Sequence, residues 1–434
     1  MRGKRDMSDI LNIEPDWLDI GEGVTADPTA CMLEIQAGQL QICRAENRWS
    51  RTVVRRVPLS AEPLAAWMAA SWWRLRWEPL PARAEPSLAW RMSHDFGAAG
   101  GGFLWPDVRV VSDGETIELQ ARPSAQNTPE MLGYLTSGKA RVNSLSFEAA
   151  IDVFMSTTLS RLGAFDAPRG LESLWTEVQA ERRDPHKAAF RRIEALLGHD
   201  PGEAPDGLVE RILLDAGQIG ETTLIEIAAL AAEYSLPRVL AVAEESGLDG
   251  SLAAMEPLRL AEVSGPPHAQ GRVRALRFRR IHSIGDTAPI DDADLVGFLG
   301  LDAASFVAPP RHDGLPMSLA LPQRGSPTQI KLVLRRNHPT SRRFDAARAL
   351  GDILTWPGEP WHPVADLNTA RQKQQRAFAS ELLAPIAGIE NYLNGDFSAD
   401  AISGVAEYYG VSERLIGSQL ANQGVLPRGH LSIS

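Results

Sequence analysis

Residues 342–354 read RRFDAARALGDIL. In a helix, Arg348 and Asp352 stand one turn apart on one face, with Ala349 beside the first. A guanidinium and a carboxylate so spaced have two uses. They can close an ion pair, worth only about 0.3–0.5 kcal/mol when exposed, or they can meet an external partner in a cleft. The pair that fills its own space is the favoured expectation. Zinc on such a helix would need imidazoles at both positions and a neighbouring carboxylate to activate water. Neither position is histidine, and Ala349 cannot act as a base.

Other residues of catalytic type are scattered. His94-Asp95, His199-Asp200 and His312-Asp313 lie in Gly/Pro-rich surroundings and read as coincidence. His338, His362 and His430 lack helical or hairpin spacing, so solvated loop histidines are expected rather than a metal site. Gly97 and Gly100–Gly102 lack the Lys-Ser/Thr of a phosphate loop and read as a tight turn.

The basic residues form a second pattern. Arg272, Arg274, Arg277, Arg279 and Arg280 crowd one expected helix, and Arg335, Arg336, Arg342 and Arg343 follow later. Such clusters make candidate phosphate contacts, but they also occur as solvated or acid-paired helix surface. The segment WWRLRW, residues 72–77, interleaves indoles and guanidinia as base-stacking surfaces do. Indole at that density belongs more often to a core.

These residues must be positioned by a chain of 434 residues carrying a net charge of −11, long enough for two or three domains. The negative charge argues against wholesale coating of nucleic acid. No apolar run approaches the ~20 residues of a membrane span, and the start turns acidic where a signal peptide would turn apolar. A cytoplasmic bacterial protein is expected, with no membrane and no cofactor. Cys31 and Cys43 flank a hairpin centred on Ala37-Gly38 and are expected to be reduced core residues.

An α+β multidomain fold follows from the patterning. Residues 1–160 hold most of the tryptophan, with β-rich stretches around the turn Ser112-Asp113-Gly114, a helix over 61–77 and another from Ser146. Residues 161–262 carry helical spacing throughout and read as a connector. Residues 263–434 open after SGPPHAQG with the basic helix, then a short helix, a strand ending at Arg336, the 342–354 helix, RQKQQRAFASELLAP and a closing helix pair.

The last segment resembles the ImmA/IrrE-like metallopeptidases. Their active-site helix runs approximately R-R-F-x-x-A-H-E-x-G-H, and this chain keeps Arg342, Arg343, Phe344, Ala347, Leu350 and Gly351. RAFASELLAP, from Arg376 to Pro385, resembles the family's N-x-F-A-x-E-L-L-x-P box, and ISGVAEYYGVSERLIGSQLANQGVL its closing helices. The resemblance implies a zincin-like, mostly helical domain with a small sheet, in which the strand ending at Arg336 is the edge strand. It also makes Arg348, Ala349 and Asp352 vestigial active-site positions, standing where two histidines and the general-base glutamate belong. The family's third ligand, an acid ahead of the F-A-x-E-L-L box, is replaced by Arg371, Gln372, Lys373, Gln374 and Gln375.

The implied function is a pseudo-metallopeptidase: a non-catalytic regulatory or antiviral-defence component that binds a protein partner at the old cleft. Two alternatives stand beside it. One is a nucleic-acid-binding subunit of a larger anti-phage or mobile-element complex, using the five arginines from Arg272. The other is a peptidase with a non-standard site.

Overall fold

The computed structural model describes residues 10–19, 27–81, 85–126, 129–165, 167, 169–231, 236–252, 263–308, 315–323 and 326–426. They fall into two units, Met1–Glu210 and Arg211–Ser434, each with helices and antiparallel sheet.

In the first unit β1 (Leu11–Trp17) pairs with β2 (Ala30–Ala37) from Leu11↔Ala37 to Trp17↔Cys31. Alternate residues of β2 are buried, as expected for a strand with one face on the core. Gly38, at φ 55°, turns the chain into β3 (Leu40–Gln41). Then come β4 (Ala45–Asn47), β5 (Thr52–Val54) and β6 (Val57–Ser60), the last returning to β2. The single helix expected over 61–77 breaks at Ser71 into α1 (Ala61–Ala70) and α2 (Trp72–Trp77).

After α3 (Leu88–His94), β7 (Asp107–Ser112) and β8 (Thr116–Arg122) form the expected hairpin. Asp113 accepts from the Thr116 amide at 2.7 Å and so fixes the turn. β9 (Leu132–Tyr134) pairs with β4, and β10 (Gly138–Asn143) with β8. α4 (Ser144–Ala164), α5 (Gly170–Arg183) and α6 (Pro185–Leu196) complete the unit.

The stretch 161–262 is divided between the two units, the cut falling after Glu210. Leu171, Trp175, Val178 and Ala195 of α5 and α6 join the first unit's core, where Trp175 meets Trp72 edge-on at 5.4 Å. Amphipathic helices of this length need an apolar face to pack on, and the tryptophans of α1 and α2 provide one.

The second unit comprises α7 (Leu208–Ile219), α8 (Glu221–Ala231), α9 (Leu236–Ser246), β11 (Leu248–Ser251), α10 (Pro267–Ile281), α11 (Asp292–Leu299) and α12 (Ala303–Val307). They are followed by β12 (Ser318–Gln323), β13 (Ser326–Val333), α13 (Pro339–Thr355), β14 (His362–Val364) and α14 (Ala370–Leu383). α15 (Ile386–Leu393), α16 (Ala399–Tyr409) and α17 (Glu413–Asn422) close it. The sheet runs β11-β13-β12-β14, antiparallel throughout. The strand expected at an edge, β13, is therefore interior. Leu248–Ser251, inside the stretch read as helical, covers it.

Two close approaches lock α14 in place. A Cβ on Gly271 of α10 would collide with the Gln374 carbonyl oxygen, and one on Gly351 of α13 with the Phe378 ring. Position 351 therefore has a packing reason to lack a side chain.

Candidate functional site

Helix α13 is buried on nearly every face, with Phe344 the one half-exposed position between Arg342 and Leu354. A helix so enclosed is ordinarily apolar, yet this one carries five charged side chains over that span, and each buried charge needs a partner. The partners are all internal. Arg342 donates to the Phe306 carbonyl at 2.7 Å, and Arg343 to the Ile290 carbonyl at 2.6 Å and to Asp292. Asp345 accepts from Ser318 Oγ at 2.7 Å. Arg342 and Arg343 thus tie α13 to the segments around α11 and α12.

Arg348 and Asp352 do not pair with each other. Arg348 Nη2 donates to the Ala365 carbonyl and to Gln372 Oε1, both at 2.6 Å, and its nearest carboxylate is Asp345 at 3.7 Å. Asp352 Oδ1 accepts from Arg371 Nε at 2.9 Å and Gln375 Nε2 at 2.7 Å, while Oδ2 meets His362 Nδ1 at 2.9 Å and Arg371 Nη2. The expected ion pair along α13 is replaced by bonds to α14 and β14. An arginine from the facing helix reaches the carboxylate with both Nε and Nη2.

The cluster is closed to solvent. Arg348 is 2% exposed, and Ala349 and Asp352 are 0%. The expectation that these charges could meet an external partner therefore fails for this arrangement. His362 is likewise buried on β14, not a solvated loop histidine, because Asp352 supplies the partner that burial demands. His338 is the exposed residue preceding α13, bonded to Thr340 Oγ1 at 2.9 Å. His430 and His312-Asp313 lie outside the described residues.

A further acid joins from α8. Glu226, buried, accepts from Thr369 Oγ1 at 2.6 Å, and Thr369 in turn caps α14 by accepting from the Gln372 amide. Burial pushes the Glu226 carboxyl up, against the opposing pull of Thr369 and Arg371. Burial would raise Asp352 too, but the Arg371 charge and hydrogen bonds, with His362, hold it down at about 2. The Arg348 guanidinium is pushed down by burial, which the attraction of Asp345 only partly offsets. The Arg376 guanidinium, donating to the Leu367 carbonyl at 2.8 Å, is lowered by burial and by Arg348 to about 10. Sequence reasoning missed Glu226, His362 and the role of Arg371. Their only signal is charge, and charge does not say where its partner lies.

Among the described residues, no three His, Cys, Asp or Glu side chains are grouped to hold a metal ion.

The basic helix divides. Arg279 is fully buried and donates to the carbonyls of Leu382, Gly285 and Ala288, so it is a clamp between α10, the loop after it and α14 rather than a nucleic-acid contact. Arg272 pairs with Glu381 at 3.3 Å and bonds Gln423, and Arg274 bonds Gln374. Arg277, half-buried, and Arg280, exposed, have no such bond among the described residues.

In the first unit, Trp72, Trp73, Arg74 and Arg76 are core rather than a stacking surface. Trp73 donates to Glu181 at 2.9 Å, Arg74 pairs with Glu78 at 2.7 Å, and Arg76 with Glu148 at 2.7 Å. His94 is buried between the Val110 carbonyl and Glu78, stacked on Trp90 at 3.8 Å. Gly100, Gly101 and Gly102 all take positive φ, the expected tight turn. Cys31 and Cys43 are buried and free.

The chain matches no protein-family model, no curated protein and no solved structure.

Proposed function

We propose that this chain is a non-catalytic binding component, an ImmA/IrrE-like protein whose second unit has exchanged zinc chemistry for an internal charge network. The observation that carries the reading is the four-way closure around Asp352. Arg371, Gln375 and His362 occupy its oxygens, leaving the carboxylate spoken for and sheltered from water. A general base needs a free lone pair within reach of substrate, and a zincin needs a ligand position open to water. The role is regulatory or defence-associated, in the bacterial cytoplasm, and the partner is a protein met at the surface of the second unit.

Elemental analysis of the full chain, with a peptide-pool digestion, tests this. The expected result is substoichiometric zinc and no cleavage. About one zinc per chain, or cleavage lost in Asp352→Asn, overturns it.

One observation favours a second reading, nucleic-acid binding: Arg277 and Arg280 remain without acidic partners on α10. Gel shifts at two salt concentrations distinguish it, because phosphate contacts weaken steeply with salt. Arg280→Glu is the informative variant, since Arg279 is structural.

A further inference from the structure

The first unit holds an open groove of about 510 Å³, well away in sequence from the charge cluster. Its position follows from the strand register. β4 and β5 pair as far as Ala45↔Val54, and Arg44 and Arg55 lie just beyond that pair, outside the two strands. The Leu135 amide donates to the Arg44 carbonyl at 2.9 Å, continuing the β4–β9 edge, and Thr136 Oγ1 donates to the Gln41 carbonyl. Both arginines line the groove, with Leu40 and Leu135 as apolar wall and Gln39 and Ser137 as further polar groups.

Two features set this groove apart. Arg44 and Arg55 are exposed and have no ion pair or side-chain hydrogen bond among the described residues. Several other arginines of this unit find acids: Arg56 meets Glu14, Asp16 and Glu34, Arg109 meets Asp95, and Arg182 meets Glu148 and Asp152. Second, no acid is among the described residues lining the groove. Two guanidinia lining one groove with no carboxylate beside them repel each other. In a chain of net charge −11, with acids to spare, keeping two guanidinia together and unneutralised calls for an anion from outside.

We infer that this groove binds a small organic phosphate. The guanidinia grip the phosphate oxygens in forked hydrogen bonds, the Ser137 hydroxyl and Gln39 amide add donors, and Leu40 and Leu135 flank the carbon body. Guanidinium forks match phosphate geometry, and the volume is that of a small-ligand site, roughly 300–1,000 Å³. The inference is independent of the reading given to the second unit.

Calorimetric titration of the full chain with inorganic pyrophosphate tests it. Saturable binding at one site per chain is expected. Arg44→Gln and Arg55→Gln should each weaken binding about tenfold or more, and Arg44→Lys less, while the melting temperature holds because neither side chain has an internal partner. Arg280→Gln, in the other unit, should bind as the parent does. Absence of saturation at millimolar pyrophosphate overturns the inference. So does an equal loss in Arg280→Gln, which would mark diffuse charge attraction. Single-stranded RNA binding more tightly than pyrophosphate, through the same two arginines, would replace the small molecule with a polymer and also overturn it.

Discussion

Arg348 and Asp352 stand one turn apart on α13 yet face different neighbours: Arg348 turns to the Ala365 carbonyl and Gln372, Asp352 to Arg371 and His362. Their charges are satisfied across the α13–α14 contact instead of along one helix. That contact is therefore held by paired polar groups as well as by apolar packing, and its disruption has a defined cost.

Asp352→Ala should destabilise the second unit by about 3–5 kcal/mol, the usual cost of leaving a buried charge alone. Here that charge is Arg371, 7% exposed at its side chain. Urea unfolding followed at the second unit's tryptophans measures it. The double variant Asp352→Leu/Arg371→Met should recover most of the loss. A double variant as unstable as the single one would show that the ion pair is not what Asp352 supplies.

The acid limb of stability has a definite sign. Asp352 sits at about 2 against an ordinary 3.8, and Glu118, held down by Lys139 and Arg141 against its burial, at about 2 against 4.5. A depressed carboxyl stabilises the fold fully above its unfolded value and loses that contribution as pH falls toward the folded one. Each group should supply on the order of 2 kcal/mol, lost between roughly pH 4.5 and 2. Denaturant midpoints across that range, compared with Asp352→Asn and Glu118→Gln, check the assignment: each variant should flatten part of the slope.

Glu226 has the opposite sign. Its carboxyl is raised by burial, so its charged form opposes folding at neutral pH and the penalty fades on acidification. Glu226→Gln should be neutral or stabilising at pH 7.5, with the difference shrinking as pH falls. A strongly destabilised variant at pH 7.5 would mean that the Arg371 attraction outweighs burial.

Gly351→Ala forces a methyl into the Phe378 ring and should cost about 1–3 kcal/mol, the range for overpacking. Combining it with Phe378→Leu should give a smaller total than the two single costs added, because the trimmed side chain makes room. Thermal melts of the four proteins decide it.

Both thiols are pushed up to about 12 by burial. Iodoacetamide at pH 8 should leave Cys31 and Cys43 unmodified in the folded chain and label both in urea, since the thiolate is the nucleophile. Rapid native labelling by mass spectrometry would contradict the burial of β2.

What was legible in the residues was local. The hairpin at Ser112-Asp113-Gly114 and helix α4 follow from turn chemistry and apolar period, which act over a few residues, whereas α13 is expected from the resemblance alone. The break at Ser71 was not legible, because no Gly or Pro marks it. At the site, the absence of imidazoles at positions 348 and 352 was plain, but not the partners of Arg348 and Asp352. Thr369 meets Glu226 across 143 residues, and no periodicity carries that pairing. Arg279 and Arg280 look alike in sequence, yet one is a clamp and the other faces water.

The strand β11 adds one consequence. Its four residues shield the flank of β13 from residue 248 onward, so a fragment cut to begin at residue 263 would carry a bare row of amides and carbonyls. Such a flank recruits a neighbour's strand. The shortened piece should self-associate where the longer one stays apart.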